Sequence, residues 1–325
     1  MEALLSRFPR LARTLPRVSL GVHESPVDRW TVDGVTLLAK RDDLCAPAPA
    51  GNKVRALELL LAGVQHGTHL LTVGATGSTH ALAVAEHGAR LGARTTVVTW
   101  PQETHAVALA TAARLAQVAD VVHARSVSDA YVRALLRRLR GGVHWVAAGG
   151  STPLGAVGHA GAALELADQF ARGGTDAPDA IVVPLGSGGT AAGMLVGLAA
   201  AGLATRVIGV RVVPRIIGNR WHVLRLARRT RALLGRLAET ELPAFDATRL
   251  MVHEAAYGGA YGRETAEARH AMNALAGAGG PSLEGTYSGK AFAVALARAR
   301  AAPDERVLFW LTFDARWLAA ARPAT

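Results

Sequence analysis

The sequence predicts an α/β fold of two lobes, each built on a mostly parallel sheet with helices on both faces. Three observations carry this. Short β-branched runs alternate with Ala- and Leu-rich stretches of helical period, a pattern that builds parallel sheets covered on both sides. The chain has 325 residues, 50% hydrophobic and 19% charged, which excludes disorder and suffices for two cores. Two segments punctuated by Gly and Pro, Ala46–Gly51 and Gly149–Gly155, mark the crossings between lobes.

Taken in order, strands are expected over Val35–Lys40, Leu70–Val73, Thr95–Thr99, Asp120–His123, Ala180–Pro184, Arg206–Val212 and Arg306–Leu311. Helices are expected over Arg55–His66, Thr79–Leu91, His105–Ala116, Ser128–Leu139, Ala156–Ala171 and Thr190–Ala201. A site in such a fold belongs at the carboxyl ends of the strands, in the cleft between the lobes.

The formal charge of +11 raises the possibility of nucleic-acid binding. The arginines are scattered, however, and the densest run, Arg225–Arg236, reads as the polar face of an amphipathic helix. No zinc-finger spacing or aromatic–basic motif accompanies it, so nucleic acid is not an expected partner. No apolar run reaches the ~18 residues of a membrane span. The N-terminal residues show no leader pattern, and the single cysteine, Cys45, fits a reducing compartment and a cytoplasmic setting. Cys45 is expected to be a small buried residue. His66 and His69 lack a nearby carboxylate, and no metal site is expected.

Only three lysines, Lys40, Lys53 and Lys290, stand against 33 arginines. Lysine alone of the two can shed its proton and attack a carbonyl as a neutral amine. Lys53 lies in Ala50-Gly51-Asn52-Lys53-Val54-Arg55, a small-residue turn running into an apolar helix, which suits a Schiff-base lysine. The alternative is an ordinary surface lysine.

Ile181-Val182-Val183-Pro184-Leu185-Gly186-Ser187-Gly188-Gly189-Thr190 reads as strand, glycine turn and helix start, an arrangement whose backbone N–H groups bind anions. A dinucleotide fingerprint competes, but no Asp or Glu occurs from Ile181 to Ala238 to hold a ribose. Arg211 leaves an NADP variant open. The loop suits one phosphate monoester better. Val73-Gly74-Ala75-Thr76-Gly77-Ser78-Thr79-His80 again leads into a helix, either as a simple cap or as a carboxylate pocket with Ser78 toward the reaction centre. Thr286-Tyr287-Ser288-Gly289-Lys290-Ala291 and the Tyr257–Gly262 stretch place three of four tyrosines among glycines.

These motifs occur in the order Lys40-Arg41-Asp42-Asp43-Leu44, Gly51-Asn52-Lys53-Val54-Arg55, Ser78-Thr79-His80, Gly149–Gly155, Gly186–Thr190 and Tyr287–Ala291. From about Lys40 to Thr312 the chain resembles the D-cysteine desulfhydrase and 1-aminocyclopropane-1-carboxylate deaminase family of pyridoxal-phosphate enzymes, of tryptophan-synthase β-like fold. The resemblance implies two three-layer α/β/α lobes: residues 1–55 and 165–325 as the larger, cofactor-binding domain, and 56–164 as the smaller, substrate-side domain. It implies that Lys53 binds the cofactor aldehyde, with Asn52, Thr79 and Thr312 around the cofactor and Gly186, Ser187, Gly188, Gly189 and Thr190 on its phosphate. Ser78, Thr79 and His80 would face the substrate from one side, Tyr287 and Tyr261 from the other. Lys53, Ser78 and Tyr287 are the expected catalytic residues. The expected reaction is β-elimination from a small, D- or L-, amino acid to a 2-oxo acid and ammonia, with D-cysteine first in line. β-Replacement, racemisation, or cofactor binding without turnover are the alternatives, and a homodimer is implied.

Three positions depart from the family pattern. Thr79 stands where Asn is usual. Gly77 replaces Gln, which is expected to widen the carboxylate pocket. Leu311-Thr312-Phe313-Asp314 replaces His-Thr-Gly-Gly, which is expected to bring a ring and a carboxylate beside the cofactor. Ser288 follows the tyrosine where the cyclopropane deaminases carry Glu, and this leans away from ring opening.

Overall fold

The computed structural model describes residues 1–47, 51–314 and 316. Helices α1 (Glu2–Arg7) and α2 (Leu11–Thr14) open the chain, and strands β1 (Val27–Val32) and β2 (Val35–Arg41) follow as a hairpin. Next come α3 (Lys53–Leu60), β3 (His69–Ala75), α4 (Thr79–Arg90), β4 (Arg94–Trp100), α5 (Ala106–Val118), β5 (Asp120–His123), α6 (Val127–Leu139) and β6 (His144–Val146). The second half holds α7 (Pro153–Arg172), β7 (Ala180–Leu185), α8 (Gly189–Ala200), β8 (Arg206–Arg211), α9 (Arg220–Ala238) and β9 (Leu250–His253). Helices α10 (Ala266–Gly277) and α11 (Ser288–Ala301) then lead to β10 (Val307–Leu311).

Two sheets result. The larger has the order β1-β2-β10-β7-β8-β9 and is parallel except at β1; the smaller, β5-β4-β3-β6, is wholly parallel. All seven expected strands are present, while β1, β6 and β9 were not anticipated. The crossing expected at Ala46–Gly51 includes residues 48–50, which lie outside the described residues. The helix expected over Arg55–His66 begins at Lys53 and stops at Leu60, short of Gly63 at φ +80°. No helix of the described residues is long and apolar enough to cross a membrane.

Side-chain alternation along the strands divides the core. Val182 and Phe309 face one way, onto Phe292 and Leu296 of α11, while Ile181, Val183, Leu308 and Trp310 face α7 and α8. In the smaller sheet Leu70 and Val97 meet α4 and α5, and Leu71, Val73 and Val98 meet α6. Helix α7 runs unbroken through residues 164 and 165, where the domain boundary was expected, and its buried side packs on α8 and the larger sheet.

Beneath the start of α3 lies a buried group of charges. Arg55 donates to Asp42 Oδ1 at 2.8 Å and to both Glu165 oxygens at 2.8 and 2.9 Å. Lys40 donates to Glu165 Oε1 and the Ser25 carbonyl, both at 2.6 Å, and to Gln169 Oε1 at 2.7 Å. Trp310 Nε1 reaches Asp42 Oδ2 at 3.0 Å. Lys40, Asp42, Arg55 and Glu165 are each at most 5% exposed. Burial alone would raise the Glu165 carboxyl, but Arg55 and Lys40 override it and hold it at about 2.

Glu165→Ala leaves two buried cations short of a partner and is expected to cost about 3–5 kcal/mol, read from urea unfolding. Because the folded-state pKa lies below the usual carboxylate value, the Glu165 contribution is complete above that value. It is lost as pH falls toward about 2. Melting temperatures of wild type and Glu165→Ala should therefore converge at low pH.

Candidate active site

The site forms where the amino end of α3 meets the turn between β7 and α8. Gly51, at φ +55°, leaves no room for a side chain: a Cβ there would sit 2.2 Å from the Thr312 carbonyl oxygen. That oxygen accepts the Asn52 N–H at 3.2 Å, and Asn52 Nδ2 donates to Thr190 Oγ1 at 3.1 Å. Two bonds thus fasten the residue before Lys53 to both Thr312 and Thr190, in the glycine-rich Gly186–Thr190 loop. Burial lowers the Lys53 amine to about 8, with Asp42 opposing in the other direction.

The loop itself is a backbone cradle. Gly188 takes φ +89° to start α8, and Ser151 Oγ, after the Gly149–Gly150 turn, bonds Ser187 Oγ at 2.6 Å and the Gly189 N–H at 3.1 Å. Serine 151 was not among the expected site residues; its place in the Gly149–Gly155 stretch was the available signal.

Tyr287 lies against this loop, its Cε1 3.2 Å from where a Cβ of Gly186 would stand. Its hydroxyl bonds that of Tyr261, the rings meeting edge to face at 6.1 Å. Burial raises both phenols, Tyr261 to about 12 and Tyr287 well above its ordinary value, so both keep their protons. The buried Glu284 carboxylate accepts the N–H groups of Thr286, Tyr287 and Ser288 at 2.6–3.1 Å and so fixes the start of α11. Tyr257, in the same glycine-rich stretch as Tyr261, instead gives its carbonyl to Lys290 Nζ at 2.8 Å.

From the smaller lobe, Ser78 caps α4, accepting the Ala81 N–H at 3.2 Å, which is the cap of the two readings open for this residue. Thr79 is the first residue of that helix. His80 and His159 are both buried and close enough to Lys53 to feel its charge. Burial, then the nearby Lys53 charge, lowers each imidazole to about 3, so both are neutral. Neither ring nitrogen of His80, nor His159 Nδ1, nor Asn52 Oδ1 makes a hydrogen bond of ordinary geometry. His159 was missed, and nothing in the apolar run of α7 marks it out. The lobes meet above through His105 Nε2 and Thr286 Oγ1 at 2.7 Å and through Arg263 and Glu103 at 2.6 Å.

Two expectations need correction. Gly77, at φ +80°, does not widen a pocket, because α5 fills the space: a Cβ would fall 2.5 Å from the Ala108 carbonyl oxygen. Phe313 and Asp314 do not bring a free ring and carboxylate into the site. Phe313 packs in the core at 6% exposure, and Asp314 is bound by Arg316 at 2.7 and 2.9 Å. Cys45 is buried as expected, and burial pushes its thiol far up. His69 Nε2 bonds Thr96 Oγ1 at 2.8 Å, and no metal-binding cluster occurs among the described residues.

A lysine of lowered pKa, a glycine-rich turn opening α8 and unsatisfied buried polar atoms thus lie together, an arrangement compatible with the pyridoxal-phosphate class. The family model of the pyridoxal-phosphate dependent enzymes matches residues 18–312, and the chain belongs to that family. It is 36% identical to nocardicin C-9' epimerase of Nocardia uniformis subsp. tsuyamanensis, over 93% of this chain and 94% of that one. It is 30% identical to D-cysteine desulfhydrase of Serratia proteamaculans, over 99% of both. A solved structure of a 1-aminocyclopropane-1-carboxylate deaminase homologue superposes with a TM-score of 0.77 over 96% of this chain and 98% of that one, at 24% identity.

Gly51→Ala should tilt the start of α3, since a Cβ at that position meets backbone. Cofactor affinity, followed by absorbance titration, is expected to fall at least about tenfold with the far-ultraviolet dichroism retained.

Proposed function

We propose that the chain removes the α-proton of a small amino acid carrying a leaving group on Cβ. The net products, with one water consumed, are a 2-oxo acid, ammonia and the protonated leaving group; D-cysteine is the first substrate to test. The observation that carries this is Lys53, with its lowered pKa, joined through Asn52 to the anion loop. When bound, pyridoxal phosphate supplies an electron sink for the bond broken at Cα. In this proposal Lys53 attaches the cofactor and serves as the base. Asn52, Thr79 and Thr312 surround the cofactor, and Gly186, Ser187, Gly188, Gly189 and Thr190 hold its phosphate. Ser78, Thr79 and His80 orient the substrate, with Ser78 as a second group within reach of Cα. Tyr287 and Tyr261 line the opposite wall, and their protonated hydroxyls can donate to a leaving group.

Epimerisation is the second reading, favoured by the 36% identity to an epimerase. The tyrosine pair, on different elements from Lys53, can return a proton to Cα. Residues 1–55 and 153–325 then form the cofactor lobe, with α7 kept whole, and 56–152 the substrate lobe. The buried Cys45 supports a reducing, cytoplasmic setting, and a homodimer is proposed.

Lys53→Ala and Lys53→Arg are both expected to abolish turnover, because guanidinium cannot replace a neutral amine. Uptake of added cofactor by the wild-type chain should accelerate as pH rises through about 8, where Lys53 sheds its proton. Persistence of wild-type turnover in either variant would sink the proposal.

Reaction of a D- and L-amino-acid panel in deuterated water separates the outcomes. Release of 2-oxo acid and ammonia supports elimination. Deuterium at Cα with inverted configuration and no ammonia supports epimerisation.

A further inference from the structure

The Gly149-Gly150-Ser151 turn leads into α7 and touches three parts of the site at once. Both glycines are left-handed, at φ +65° and +67°, and each faces a wall that a side chain would strike. A Cβ on Gly149 would fall 2.1 Å from Ser187 Oγ. One on Gly150 would stand 3.2 Å from Leu60 Cδ1 and 3.4 Å from Ala56 Cβ, both of α3, and 3.7 Å from His80 Cε1 of α4. The turn therefore packs against the helix that carries Lys53, the helix that opens at Thr79 and the Gly186–Thr190 loop. Ser151 is the residue it delivers to that loop, its Cα 3.2 Å from where a Cβ of Gly189 would stand.

Counting protons shows what the serine pair can do. Ser151 Oγ accepts the Gly189 N–H at 3.1 Å and shares one hydrogen with Ser187 Oγ at 2.6 Å. Each hydroxyl brings one hydrogen, so one is spent between them and the other has no acceptor among the described residues. Accepting the helix N–H polarises the Ser151 O–H and makes it the better donor of the two, which leaves the free hydrogen on Ser187. Thr190 is treated in the same way. Its Oγ1 accepts from Asn52 Nδ2 at 3.1 Å, and its own hydrogen has no acceptor among the described residues. A donor placed behind each loop hydroxyl thus turns that hydroxyl into a donor at the front. A phosphate offers acceptors only, and its charge strengthens each O–H bond it receives. We infer that Ser151 is a positioning residue that sets Ser187 as an O–H donor to the cofactor phosphate, and that it acts only through Ser187. The inference rests on the proposed reading of Gly186–Thr190 as the phosphate loop.

The test compares pyridoxal phosphate with pyridoxal, which has the same aldehyde and no phosphate, by absorbance titration of the full chain. Ser151→Ala is expected to lower the affinity for pyridoxal phosphate about tenfold and to leave that for pyridoxal unchanged. Ser187→Ala should lose as much, and the double variant no more than either alone, because the two hydroxyls act as one unit. Ser151→Cys, similar in size but a poor donor, should match Ser151→Ala, and it decides if the alanine variant does not fold. Equal losses for both aldehydes, no loss at all, or losses that add in the double variant would overturn the inference. A wild-type chain that binds the two aldehydes equally well overturns the phosphate reading of the loop, and the inference with it.

Discussion

Two cations and two carboxylates, Lys40, Arg55, Asp42 and Glu165, are enclosed together beneath the site with no net charge among them. Desolvating each costs several kcal/mol, and only mutual pairing with full hydrogen bonding offsets it. None of the four can move alone without stranding another. They sit on β2, the turn after it, α3 and α7, and Trp310 adds β10. Arg55 follows Lys53 by two residues on the same helix, so the group that locks the larger lobe also fixes the backbone from which the Lys53 amine projects.

The floor and the mouth of the site are held by contacts of different strength. Below, Asn52 and Gly51 are pressed against Thr312 and Thr190 in buried surroundings where an unmade bond is expensive. Above, Arg263 and Glu103 pair with about half of each side chain exposed, and such a pair contributes at most about 1 kcal/mol. The contacts around Lys53 are therefore costly to break, whereas the exposed Arg263–Glu103 pair at the mouth is not, which leaves the buried-side bond of His105 to Thr286 as the stronger tie there.

What the sequence displayed was local. The turn around Lys53, the Gly186–Thr190 loop and the strands that supply a regular alternation could each be read within ten residues. The Asp33-Gly34 turn was equally local and went unread; both residues have positive φ, as a two-residue hairpin requires, and they imply β1. The rest depends on packing between distant segments. Glu165 lies 110 positions from Arg55, so nothing near either one names the other. The effect of glycine at position 77 could not be inferred because the space it vacates is taken by α5, and Asp314 is answered by Arg316 rather than by the site. A substitution deletes a side chain in the sequence; only the fold shows which neighbour moves in.

The three lysines illustrate the same distinction. Lys40 meets three acceptors at 2.6–2.7 Å around one nitrogen, a geometry that an ammonium with three divergent donors satisfies and a planar guanidinium fork does not. Lys290 is fully buried with a single backbone acceptor, the Tyr257 carbonyl, and its slim ammonium fits an enclosed position that offers a guanidinium fork no further acceptor. Lys53 lacks any such set of acceptors and is pushed by burial toward the neutral amine. In an arginine-rich chain all three positions resist arginine, two because of shape and one because of protonation. Rarity in the sequence pointed to all three, but only the contacts separate the two held by acceptors from the one pushed toward the neutral amine.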